Sequence, residues 1–371
     1  EILTATGPEA AITQQETKMS RPLTRLYVIV ILIAGGGLSP QTAAQTERLE
    51  SEPWTLPRTS DGRPDLQGVW ANNTATPLER PEALGDKAQL SDEELARVRA
   101  RYAQLFASGE SDAAFADSVF VAALGEQGGF SSRDTATGNY NQFWLVDREF
   151  DNRTSLIIKP ADGRLPGLTL QAQQRISARI AHLAEHPASS WTDRRLQERC
   201  ITFGMPNLFA GYNTYYQIFQ TPTHIVFLHE MIHDARIVPL SRTPHPDDSI
   251  RQWHGDSRGY WDGDTLVVET TNFSAQSESP APLYQRTRGS AAQLRLIERF
   301  SRSGQNTLQH QFTVEDPATY TASWTAVIPL QRREEQLFEY ACHEGNLGME
   351  GILAGHRAEE QTATASRATV R

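Results

Sequence analysis

QLRLIERFSRSGQNTLQHQFTVE, residues 293–315, is the stretch that decides the fold. In a strand successive side chains point to opposite faces, so residues two apart share a side. Leu294, Leu296, Glu298 and Phe300 then lie on one face, and Leu308, His310, Phe312 and Val314 on one face of the returning strand. Ser303-Gly304-Gln305-Asn306 supplies the turn between them. A hairpin with one apolar face is a half-buried antiparallel unit. Each strand nevertheless carries an ionisable residue on that face, Glu298 and His310. A buried charge must be paired. The two residues therefore line a ligand cavity, where desolvation tunes a carboxylate for acid–base work, or they are structural, held by a basic side chain such as Arg299.

Working outward, residues 65–70, 142–146, 154–159, 215–220, 265–271, 322–330 and 337–342 read as further short strands, with Asp262-Gly263-Asp264 as a second clear turn. Two helices interrupt the series. Ser91 and Glu94 form a capping box ahead of Leu95, Val98, Tyr102, Leu105 and Phe106 on one face. A second helix covers 169–186, with Ile176, Ile180 and Leu183 at helical spacing and Pro187 beyond its end. Residues 108–141 are Gly-, Ser- and Asp-rich and read as a long loop. The expectation is a mainly β (α+β) chain. It has one β-rich domain over 65–357, an antiparallel lipocalin/calycin-like β-barrel with a helical insertion at about 88–190. A disordered leader (45–64) and a disordered tail (358–371) flank it.

The chain has 371 residues, 39% of them hydrophobic and 22% charged, which fits a globular protein. A formal net charge of −10 without a clustered basic face excludes a nucleic-acid binder. Met19, Arg21 and Arg25 precede an apolar run over 26–34, then Gly35-Gly36-Gly37 and the small residues Ala43-Ala44. That order reads as a signal peptide over 19–44, with 1–18 as an upstream extension, and the run is too short to span a bilayer. The expected location is periplasmic or secreted, with no stable membrane insertion after cleavage. In an oxidising compartment Cys200 and Cys342, the two cysteines, are compatible with one disulfide or with two buried thiols.

Ionisable residues are densest in HIVFLHEMIHDARIVPL, 224–240. His229-Glu230-Met231-Ile232-His233 matches H-E-x-x-H, which on a helix puts two imidazoles on one face to bind zinc. The β-branched run around it favours strands instead, and in an extended chain His229 and His233 stand roughly 13 Å apart. Two strands bent near His233 and Asp234 would present Glu230, His233, Asp234 and Arg236 as an acid–base and anion-binding cluster. A salt-bridged strand end is the plain alternative. A second group, Arg251, Trp253, Asp256 and Arg258, reads as a ligand-binding rim, since Gly255-Asp256-Ser257 has no later Asp-x-x-His to make it a nucleophile block. A third, His343 with Glu344, follows a strand end and suits a site or a disulfide-anchored corner.

These motifs carry a resemblance. PDLQGVW (64–70), EMIHDARIVPL (230–240), GDSRGYWDGDTLVVETTNF (255–273), ERF (298–300), FTVEDP (312–317) and EYACHEGN (339–346) resemble an uncharacterised family of secreted proteins of soil and environmental bacteria, over nearly the whole mature chain. The resemblance implies grouping and no activity. The family's pattern starts at Glu230 and does not require His229, which weighs against zinc. Gly68-Val69-Trp70 is similar to the Gly-x-Trp that opens lipocalin barrels.

The leading expectation is a cofactor-independent enzyme doing hydrolysis, elimination or isomerisation on a small, apolar or sugar-like molecule. Glu230 or Glu298 would be the base, His233 or His343 the proton donor, Arg236 or Arg258 the anion clamp, with Asp234, Glu344 and His310 nearby. The alternatives are a non-catalytic carrier of an apolar ligand and a zinc hydrolase using His229 and His233.

Overall fold

The computed structural model describes residues 54–115, 117–125, 130, 141–281, 290–344 and 346–369. The segments expected as a signal peptide (19–44) and an upstream extension (1–18) lie outside these residues. Ten strands build one antiparallel sheet: β1 (Gly68–Ala71), β2 (Ile157–Lys159), β3 (Tyr215–Gln220), β4 (His224–His229), β5 (Ala235–Pro239), β6 (Asp256–Asp262), β7 (Thr265–Thr271), β8 (Arg295–Arg302), β9 (Thr307–Glu315) and β10 (Trp324–Arg333). Their spatial order is β5-β4-β3-β1-β10-β9-β8-β7-β6, with β2 beside β10. Short hairpins join β3–β4, β4–β5, β6–β7 and β8–β9. β1 alone enters the main path out of sequence, between β3 and β10.

Alternation puts one residue in two on a shared inner face. Trp70, Ile218, Phe227, Leu266, Phe312 and Trp324 are all essentially without solvent exposure and belong to one cluster. Each such burial stabilises by about 1.5–3 kcal/mol. The sheet curls to achieve it. Phe227 on β4 meets Phe300 on β8 with ring centroids 4.8 Å apart, although four strands separate them along the sheet. The edge strands β5 and β6 touch without a ladder. Val238 packs where Gly259 has no side chain, and a Cβ on that glycine would stand 3.0 Å from Val238 Cγ1.

That packing explains why β6 is hidden in the sequence. Its inward positions are Ser257, Gly259 and Trp261, and only the last is a large apolar side chain, so the alternation is faint. Two expected strands are absent. Residues 142–146 start as a 3-10 turn, Gln142–Trp144. Residues 337–342 form no ladder, because the Phe338 N–H donates to the Glu230 carboxylate and the Tyr340 carbonyl accepts from the His233 side.

Among the described residues four α-helices accompany the sheet: α1 (Asp92–Phe106), α2 (Ser118–Leu124), α3 (Leu170–Glu185) and α4 (Leu347–Thr369). The Ser91–Glu94 capping box opens α1, and Val98, Leu105 and Phe106 pack with Val119 and Phe120 of α2 in a separate small core. Thr169 caps α3, whose Ile180 is exposed: this helix lies on the surface. The expected loop over 108–141 thus contains α2, and the tail expected to be disordered is helical through Thr369. From Trp54 the leader is ordered as well. Arg58 pairs with Asp264 at 2.9 Å, and the Gln220 side chain donates to the Pro64 carbonyl at 3.0 Å. Cys200 and Cys342 form a disulfide, Cα–Cα 5.6 Å. No helix among the described residues is long and apolar enough to cross a membrane.

Candidate functional site

β5, β8 and β9 bring Arg236, Glu298 and His310 together on the inner face, all three buried. The Arg236 guanidinium grips the Glu298 carboxylate with both terminal nitrogens, Nη1 to Oε2 and Nη2 to Oε1, the latter at 3.1 Å. His310 Nε2 bonds the same Oε1 at 2.9 Å. The aromatic neighbours fix these groups sterically. Arg236 lies 4.7 Å over the Phe227 ring, Phe227 leans on Phe300, and Phe300 stacks on His310 at 4.4 Å. Burial alone would raise the Glu298 carboxyl, but the Arg236 guanidinium and the His310 ring outweigh it and hold the pKa at about 2. Glu298 is therefore an acceptor at neutral pH, which assigns the proton to His310 Nε2. His310 Nδ1 has no hydrogen-bond partner among the described residues.

His229 and Tyr216 complete this group. Both point inward from facing positions of β4 and β3, with ring centroids 4.2 Å apart. Burial, then the Arg236 charge, pushes His229 down to about 3, so it is neutral. Burial also raises the Tyr216 phenol, whose O–H donates to the Asn207 carbonyl at 3.0 Å. The residues enclose a cavity of about 10 Å³, lined also by Met205, Pro206 and Asn207. That is room for about one water molecule.

A second group sits where β4 turns into β5. Ile232 and His233 both have positive φ, 60° and 45°. A β-branched residue in the left-handed region is strained, and such strain persists only where the surroundings enforce it. Here Met231 and Ile232 are buried against Phe209, and the buried Glu230 carboxylate accepts from Phe338 N at 3.0 Å. His233 Nδ1 lies 3.1 Å from the Tyr340 carbonyl oxygen, and its ring is 6.1 Å from that of His343. Asp234 faces His254 Nε2 at 3.3 Å, and that nitrogen is 2.7 Å from Thr202 Oγ1. The Cys200–Cys342 disulfide anchors the same corner. Glu344 is exposed, with no side-chain partner among the described residues.

The expected rim does not join either group. Asp256 and Arg258 alternate with the inward Ser257 and Gly259, so they occupy the opposite face of β6. There Asp256 binds His245 at 2.6 Å and Arg258 at 3.0 Å. Arg251 ties the loop by donating to the Phe273 and Ala292 carbonyls. Trp253 lines a separate small cavity near Thr202 and Met205. An anion clamp on Arg258 is thus excluded for the inner group, whose cation is Arg236.

The zinc reading needs a helix over 229–233, and the chain forms strand, turn and strand instead. His229 points to the inner face, whereas His233 points outward to Tyr340 and His343. The two imidazoles do not share a centre. Among the described residues no group of three or more His, Cys, Asp or Glu is placed to hold a metal ion.

The sequence gives no role to Tyr216, and offers His229, His245 and His254 only as candidate zinc ligands. Alternation along 215–220 and 224–229 carries the signal for two of them, since Tyr216 and Ile218, then Ile225, Phe227 and His229, share a face. No comparable local signal exists for His254, which reaches Asp234 across a loop. Comparisons with family models, curated proteins and solved structures found no match.

Proposed function

We propose that this chain is an exported, cofactor-independent enzyme that moves a proton on a small, partly apolar or sugar-like molecule, with His310 as the base. Glu298 is its positioning residue. The observation that carries the reading is the buried, unpartnered His310 Nδ1 beside a cavity. An unpaired buried polar atom costs on the order of 1–3 kcal/mol, and His310 Nδ1, unlike Arg236 Nε beside it, belongs to a group that can take up and release a proton. The carboxylate holds the imidazole in one tautomer, Arg236 keeps that carboxylate ionised, and neutral His229 adds no competing charge. Hydrolysis, elimination and isomerisation all use such a base.

The reading takes the curled sheet as a calycin-like barrel and Met205–Asn207 as the cover that moves when substrate enters. The touching edges β5 and β6 support closure. The disulfide and the signal-like 19–44 segment support export. A carrier of an apolar ligand would need the same cover to move, and it has no use for the buried Arg236–Glu298–His310 group. The test is turnover across a panel of small esters, lactones and glycosides. For any substrate found, His310→Gln should lower kcat by about 10²–10⁴-fold. Glu298→Gln, which spoils the tautomer but not the ring, should lower kcat with little change in KM. Full activity in a folded His310→Gln protein would end the proposal.

A further inference from the structure

A second cavity lies away from the inner face. It is a cleft of about 620 Å³, within the range of small-molecule sites. One wall is α3, which presents Arg175, Arg179 and Leu183 one turn apart on a single stripe. The facing wall is the irregular segment 191–199, with Trp191, Arg194, Arg195 and Arg199. Five arginines line the cleft against three carboxylates, Asp193, Glu198 and Glu278, in a chain whose overall charge is −10. This local excess of positive charge runs against the whole molecule, and a concave site focuses it.

The arginines are not equivalent. Arg194 is spent on Glu198, at 2.8 and 3.2 Å. Arg179 holds Asp193, and Arg175 donates to the Ala318 carbonyl at 2.8 Å. Arg199 is different. Its guanidinium lies 4.5 Å over the Trp191 ring and makes no hydrogen bond or ion pair among the described residues. Trp191 covers one side of that guanidinium and leaves its N–H groups for a ligand. Leu183, Pro187 and Leu196 supply apolar wall beside it.

We propose that this cleft binds a small organic carboxylate with an apolar body, its carboxylate forked on Arg199 and its body against Trp191, Leu183 and Pro187. A planar carboxylate matches the in-plane fork, and the apolar walls select against bare inorganic anions. The site is separate from the His310 cavity and does not rest on the acid–base reading.

The experiment is calorimetric titration of the full chain with benzoate, and with acetate and inorganic phosphate as the anions lacking an apolar body. Benzoate should saturate at one per chain, at least about 10-fold more tightly than acetate or phosphate. Loss of one charge-assisted fork corresponds to roughly 10–100-fold, so Arg199→Ala should weaken benzoate by that factor. Arg199→Lys, which keeps the charge but not the fork, should recover little of it. Three results would overturn the proposal: no saturable benzoate binding, benzoate affinity unchanged in folded Arg199→Ala, or phosphate binding as tightly as benzoate.

Discussion

Arg236→Met tests the inner-face chemistry most directly, because it removes the cation and leaves a carboxylate with no solvent exposure. In the native protein the Glu298 carboxyl descends from an ordinary 4.5 to about 2. At about 1.4 kcal/mol per pH unit, that is about 3 kcal/mol of stability at neutral pH. Breaking a buried ion pair by removing one partner costs a similar amount, about 3–5 kcal/mol. The sign with pH is the sharper test. A carboxyl whose folded pKa is depressed contributes stability that is present above 4.5 and lost as pH falls toward 2. Without Arg236, burial dominates and the folded pKa rises above the unfolded value. The Glu298 contribution is then greatest below 4.5 and is lost as pH rises through the new folded value. Urea unfolding at several pH values between 3 and 7 should show the variant's deficit largest at neutral pH and shrinking in acid. Arg236→Met with Glu298→Gln should recover much of the loss, since neither partner is then left charged and alone. A neutral-pH deficit below about 1 kcal/mol, or one independent of pH, would refute the account.

Three further outcomes are expected. His229 is held neutral at about 3, below its ordinary 6.5, so its contribution is present above 6.5 and lost as pH falls toward 3. His229→Phe should therefore lose less stability than the native chain between pH 6.5 and 4. Gly255 has φ 67°, and a Cβ there would stand 2.3 Å from the Thr271 carbonyl oxygen, so Gly255→Ala should destabilise by roughly 2–3 kcal/mol in denaturant unfolding. The Cys200–Cys342 bond spans 142 residues of sequence, so replacing both by serine should cost about 2–5 kcal/mol. Unchanged midpoints in these variants would show that the packing and the crosslink do not matter as argued.

Local pattern was enough for much of this molecule. Alternation over 293–315 gave the β8–β9 hairpin and put Glu298 and His310 on its inner face, and the Ser91–Glu94 pair gave the start of α1. Those features depend on backbone periodicity and on bonds within a few residues, which a sequence states directly. Partner identity was not stated. The natural local guess for Glu298 was Arg299, which points outward to Asp262, whereas the true partner, Arg236, lies 62 residues away on a strand brought over by the curl of the sheet. The same holds for β6, masked because Gly259 makes room for Val238, and for the arginine cleft, where α3 faces a segment with no regular structure. What the sequence determined by itself was which side chains share a face. Which faces meet, and so which charges are paired and which imidazole nitrogen is left alone, was decided only by the tertiary structure, because burial of the apolar face draws together strands that have no local reason to touch.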